Sequence, residues 1–188
     1  VILPGRRGFL LAAGAATFAA LGTKVRFDTP VALASSDTPF HVDLPETLSV
    51  LSVAEYVTLA AACDRIFPRD DTPGAVDLGA PVYVDRSLAE RPLPPWADGF
   101  RAGLARLEAD ALRRFGVTFG RASHADQESL LADRDASPDP EEARFLRNLV
   151  TATLEGALGD PAYGGNAAGA GWVELGFPVD PFARTRMP

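Results

Sequence analysis

Few side chains in this sequence are of the types that do chemistry, and their placement limits what they can do. The 188-residue chain has two histidines, His41 and His124, and one cysteine, Cys63. Neither histidine belongs to an H-E-x-x-H pair, to a nucleophile elbow with Ser and Asp partners, or to a cluster with zinc-ligand spacing. Asp70 and Asp71 are adjacent carboxylates, the groups that a cation or an acid/base step would use. Sequence neighbours point apart unless a loop turns them, however, and a site needs further ligands from elsewhere. A loop-structuring and salt-bridging role, with Arg65 or Arg69 as partner, is the simpler reading. His124, after Ser123, reads as a first-turn solvent residue. A hydrolytic or small-ligand site made from Asp70, Asp71 and His124 is the alternative, and it requires the three to converge within hydrogen-bond reach.

The lone cysteine cannot form an internal bridge, a C-x-x-C-H haem attachment or a four-cysteine metal site. It falls on the apolar side of a predicted helix, where a free Cys behaves as a small hydrophobe, and its neighbour Asp64 opposes a thiolate. No G-x-G-x-x-G follows a strand, so this chain is not expected to hold the pyrophosphate of FAD or NAD. The residue types taken alone leave the polypeptide chemically unarmed.

The elements that would position these groups are helical. Ser52 with Glu55 three positions on is a capping box, followed by Tyr56, Leu59, Ala60, Cys63, Ile66 and Phe67 as one apolar stripe, and Pro68 stops the helix. Residues 69–75 are a turn-rich loop. Ala80 to Ala89 predicts a second helix, with Pro81 in its first turn. A third runs from Pro95 through Trp96, Phe100, Leu104, Leu107 and Ala111 to Phe115 and ends at Gly116. Ser123 with Asp126 opens a fourth carrying Leu130 and Leu131. A fifth starts at Glu141 and Glu142, carries Phe145, Leu149 and Leu154 inward, and is closed by Gly156 and Gly159. No hairpin signal interrupts these patterns, which predicts an all-α class: about five short helices in one compact domain.

The last stretch breaks the rhythm. Asp160-Pro161-Ala162-Tyr163-Gly164-Gly165-Asn166, Gly171-Trp172 and Gly176-Phe177-Pro178 combine turn formers with aromatics at spacings that fit neither period. A linker would not carry three rings, so this reads as a long ordered loop, not a helix, with Tyr163, Trp172 and Phe177 packed on the domain or on another protein.

At the other end, Arg6-Arg7 with Phe9-Leu10 head an uncharged apolar run from Gly8 to Gly22, the pattern of an export signal of the twin-arginine type. That run is shorter than the roughly 20 residues that span a bilayer. We take residues 1–34 as the signal segment, with cleavage open at Ala32-Leu33-Ala34, and residues 35–188 as the single helical domain. An uncleaved leader would be a membrane anchor. Past residue 34 the chain has lost four basic residues and one acidic one from its totals of 18 and 25, which leaves an excess of ten negative charges. Nucleic acid and anionic lipid are therefore poor partners.

Three stretches carry a resemblance: the twin arginines with Phe9-Leu10; Ala61-Ala62-Cys63-Asp64-Arg65-Ile66-Phe67 with Pro68-Arg69-Asp70-Asp71-Thr72-Pro73-Gly74-Ala75; and Asp160 to Pro178. In this order and spacing the chain resembles subunit 3 of gluconate 2-dehydrogenase, the small companion of periplasmic flavoprotein sugar dehydrogenases. The resemblance implies a non-catalytic accessory chain. FAD and substrate would sit in a large subunit of the glucose-methanol-choline type, and electrons would leave through a multihaem cytochrome c, which would place haem c in a third subunit, or through an equivalent acceptor. The small chain would carry the export signal for its folded partner and help it assemble. It would be periplasmic, held at the inner membrane through its partners. Its function would then be a surface, for which we select Asp160, Tyr163, Gly164, Gly165, Asn166, Trp172, Phe177 and Pro178.

Overall fold

The computed structural model describes residue 40 and residues 42–177. Arg6, Arg7, Phe9, Leu10, His41 and Pro178 lie outside the described residues. The fold is all-α: α1 (Val53–Ile66), α2 (Ala80–Ala89), α3 (Phe100–Phe115), α4 (His124–Asp135), α5 (Pro140–Leu158) and a short α6 (Ala170–Glu174).

Local chemistry explains most boundaries. Ser52 Oγ accepts from the Glu55 N–H at 3.3 Å while Glu55 Oε2 accepts from the Ser52 N–H at 2.9 Å, so the predicted capping box closes α1. Ser123 Oγ caps α4 through the Asp126 N–H, and Asp139 caps α5 through the Glu141 N–H. Gly116, at φ 72°, ends α3 in the left-handed conformation that costs glycine nothing.

α1 is the hub. The sequence predicts one apolar stripe, but every residue from Thr58 to Cys63 is buried. The reason is size: Ala60, Ala61, Ala62 and Cys63 are small enough for α2, α3, α4 and α5 all to close around this helix. Cys63 is fully buried with its Sγ 3.3 Å from Thr153 Oγ1 on α5. Burial pushes its thiol up to about 12, and Asp64 adds to the effect.

Two predicted boundaries move. α3 begins at Phe100, not at Pro95, because residues 95–99 form turns in which the Ala97 N–H donates to Pro94 O and Gly99 sits at φ 69°. That turn drops Trp96 into the core, where its ring centroid is 5.4 Å from that of Phe100 and its Nε1 donates to Glu155 at 2.9 Å. α5 runs through Gly156 to Leu158. Gly156 is a crossing point and not a stop: a Cβ there would lie 2.8 Å from Ala80 Cα, so its absence lets α2 and α5 approach closely.

Charged residues then tie elements together from inside. The Asp85 carboxylate on α2, 2% exposed, accepts the N–H groups of Ser49, Val50 and Leu51 at 2.5, 3.0 and 2.8 Å and pins the segment that leads into α1. Arg134 on α4, 3% exposed, donates to Asp110 on α3 at 2.6 Å and lies 3.3 Å from Glu142 on α5. None of these roles is visible in the spacing of the sequence.

Candidate partner-facing surface

A helix of the length of α5 leaves its last carbonyls without intrahelical donors, and the segment after it is built to supply them. The Asn166 N–H donates to Gly156 O at 2.6 Å. The Trp172 indole donates to Leu158 O at 2.6 Å, and Asn166 Nδ2 donates to Gly159 O at 2.8 Å. Asn166 Oδ1 in turn accepts the Gly171 N–H at 2.7 Å, and the Ala167 N–H reaches Leu78 O at 3.0 Å in the α1–α2 connection. The segment is thus a compound C-cap for α5.

That function sets its composition. Asn166 is fully buried at φ 43°, a left-handed position that Asn tolerates. A Cβ on Gly165 would sit 2.1 Å from Gly156 O, and one on Gly171 would sit 2.3 Å from Ala157 O, so both positions need glycine. Asp160 caps the 3-10 turn Pro161–Tyr163 through the Ala162 N–H at 2.8 Å. The expectation of a loop without helix needs correction. Two 3-10 turns, Pro161–Tyr163 and Ala167–Gly169, are followed by α6, because the turn formers cluster before Ala170 and leave Ala170–Glu174 free to coil.

Of the residues selected for a surface, Gly165 and Asn166 therefore point inward and act as fixings. Trp172 is half-buried, with its indole N–H spent on α5. The rings left to solvent are Tyr163, 66% exposed, and Phe177, 63% exposed, and Val173 and Leu175 on and after α6 are 60% and 55% exposed. Sequence reasoning missed Val173 and Leu175, which become legible only once 170–174 is known to be helical.

The residues of the competing constellation lie on two elements, the 69–75 loop and the start of α4. Asp70 Oδ1 accepts from the N–H and the hydroxyl of its own loop residue Thr72 at 2.9 and 2.7 Å, which is the loop-structuring role expected of it. Arg69 pairs with Asp77, which also accepts the Gly74 N–H at 2.7 Å, and Arg65 pairs with Asp64 and lies 3.8 Å from Glu128. A shallow cavity of about 260 Å³ beside this loop is lined by Arg69, Asp70, Asp71, Thr72, Pro73 and Asp77, without His124. His124 starts α4. Its pKa is lowered by partial burial and by the nearby Arg65 guanidinium, with Asp64 working against both. Among the described residues no three His, Cys, Asp or Glu side chains are grouped to hold a metal ion, and no helix is long and apolar enough to cross a membrane.

In the Gly-rich segment five backbone N–H groups are already spent. A phosphate nest needs free N–H groups, yet those of Gly164, Asn166, Ala167, Gly169 and Gly171 are all donated to protein oxygens. The fold and site define a small helical domain whose C-terminal segment displays apolar side chains on a hydrogen-bonded base. The family model for gluconate 2-dehydrogenase subunit 3 matches residues 54–178, and the chain belongs to that family. It is thereby a member of a family defined as one subunit of a dehydrogenase complex. No curated protein and no solved structure matches it.

Proposed function

We propose that this chain is the non-catalytic small subunit of a periplasmic FAD-dependent sugar or sugar-acid dehydrogenase. Its partner is a large subunit of the glucose-methanol-choline type, which binds FAD and substrate, and a multihaem cytochrome c carries electrons onward. The chain brings the twin-arginine signal, is exported together with its folded partner, and stabilises it. The observation that carries the reading is the display of Tyr163, Val173, Leu175 and Phe177 on a segment whose backbone is anchored to α5 and to the α1–α2 connection. A rigid base removes the ordering cost that a flexible tail would meet on docking, and large exposed rings are the side chains that contribute most at interfaces.

Co-expression of the full chain with the large flavoprotein subunit tests this. The two should co-purify from the periplasm with FAD bound to the large subunit, and Tyr163→Ser with Phe177→Ser should reduce the yield of complex without unfolding the small chain. Export and full activity of the large subunit without this chain would refute the proposal.

A further inference from the structure

The approach to α1 is held unlike the rest of the domain. Residues 42–51 contain no helix, and among the described residues no backbone–backbone hydrogen bond ties them to one. Their fixing is a side chain. The Asp85 carboxylate on α2, itself 2% exposed, receives three successive N–H groups: Oδ2 takes that of Ser49 at 2.5 Å, and Oδ1 takes those of Val50 and Leu51 at 3.0 and 2.8 Å. Three N–H groups on one charged acceptor, shielded from water, make a strong local contact. Upstream of it the hold is slight. Val42 and Leu48 pack on the core only half-buried, while Asp43, Leu44 and Glu46 are exposed.

We propose that residues 42–51 are a strap with Asp85 as its latch, a unit that opens without unfolding the helices and closes only on a docked α2. A segment with few buried apolar contacts and no backbone ladder is the kind that opens locally. The acceptor that closes this one lies 34 to 36 residues away in sequence. It is in place for the strap only once α2 has packed against α1 and α5. Asp85 is thus a positioning residue, and what it positions is the root of the chain that precedes the domain. The strap joins residues 1–34, with the twin arginines, to the helices. A consequence for export rests on the accessory-subunit reading: the latch fixes where the leader leaves the domain, and does so only when the domain is folded. An open strap would let the leader range about 35 Å further from α1.

Native-state hydrogen exchange on the full chain tests the latch. The amides of Ser49, Val50 and Leu51 should exchange at least about tenfold faster than those of Leu59 to Cys63 in α1. Asp85→Ala should raise exchange in the strap, and the rate of proteolytic cleavage within 42–51, by about tenfold or more while α1 stays protected. Asp85→Asn should fall between the two, because its amide oxygen can still serve Val50 and Leu51 while its NH2 group meets the Ser49 N–H as a second donor. Equal protection of strap and α1 in the wild type, unchanged strap exchange in Asp85→Ala, or loss of α1 protection together with the strap would each overturn the latch. Export is read separately, as the periplasmic yield of Asp85→Ala against wild type, which should fall severalfold. A normal yield with an open strap would refute the consequence for the leader and leave the latch standing. If the wild-type chain is not exported at all, the accessory reading fails and the exchange result still decides the latch.

Discussion

Cys63 shows how placement overrides residue type. Its sulfur is fully buried against Thr153 and its thiol is pushed up to about 12, so the nucleophilic thiolate is scarce and unreachable. A disulfide-exchange reagent at pH 8 should therefore leave the native chain unlabelled and titrate one thiol per chain after denaturation; rapid native labelling would contradict the packing around α1. Glu55 is the opposite case, a charge held in place. The Arg101 hydrogen bonds and the Ser52 cap outweigh its desolvation and lower its pKa from 4.5 to about 2. A depressed carboxylate contributes stability that is present above its unfolded value and is lost as pH falls through the folded one. The chain should thus lose melting temperature between about pH 4.5 and 2 partly through this pair, and Arg101→Ala should flatten that part of the profile. Since Arg101 is half-exposed, the effect at neutral pH should be small.

Between elements, glycine sets how close helices come. Gly103 on α3 faces the Phe145 ring of α5, and a Cβ there would lie 2.0 Å from Phe145 Cδ2. The ring has little room to yield, because it packs edge-on against Phe100 with centroids 5.7 Å apart. Gly103→Ala gains helix propensity yet should destabilise the domain by about 2 kcal/mol through overpacking, read from urea denaturation. A neutral or stabilising result would mean that α3 and α5 are less tightly registered than described. The same principle governs the far end of α5, where Gly165 and Gly171 let a second segment approach the helix's last carbonyls. That segment looks like a loop in sequence because its side chains follow no period. In the fold it is a cap, and caps are organised by hydrogen-bond demand and not by hydrophobic rhythm.

For the whole molecule, the accessory reading predicts which changes matter to turnover. Asp70→Asn and His124→Ala should leave activity per assembled complex within about twofold of wild type, because Asp70 serves its own loop and His124 lies outside the cavity beside it. A loss of a hundredfold or more in either variant, with assembly intact, would reinstate a catalytic role for that residue. The paired arginines belong to this scale too. Arg6→Lys with Arg7→Lys should strand both this chain and its flavoprotein partner in the cytoplasm, as read by fractionation.

The sequence by itself determined the helical class, the capping-box start of α1, the second and fourth helices and the family, because these rest on local spacing, caps and a motif in order. It also identified 160–177 as an ordered and special segment. Only the tertiary structure decided that α1 is enclosed on every side from Thr58 to Cys63, that Gly156 is a crossing and not a stop, and that Asn166 points inward while Tyr163 and Phe177 face solvent. The partners of Arg69 and Asp85 were likewise hidden. The physical reason is common to all of these: burial and hydrogen-bond partnership depend on which distant backbone arrives alongside, and a one-dimensional pattern records only what each segment needs, not which other segment meets the need.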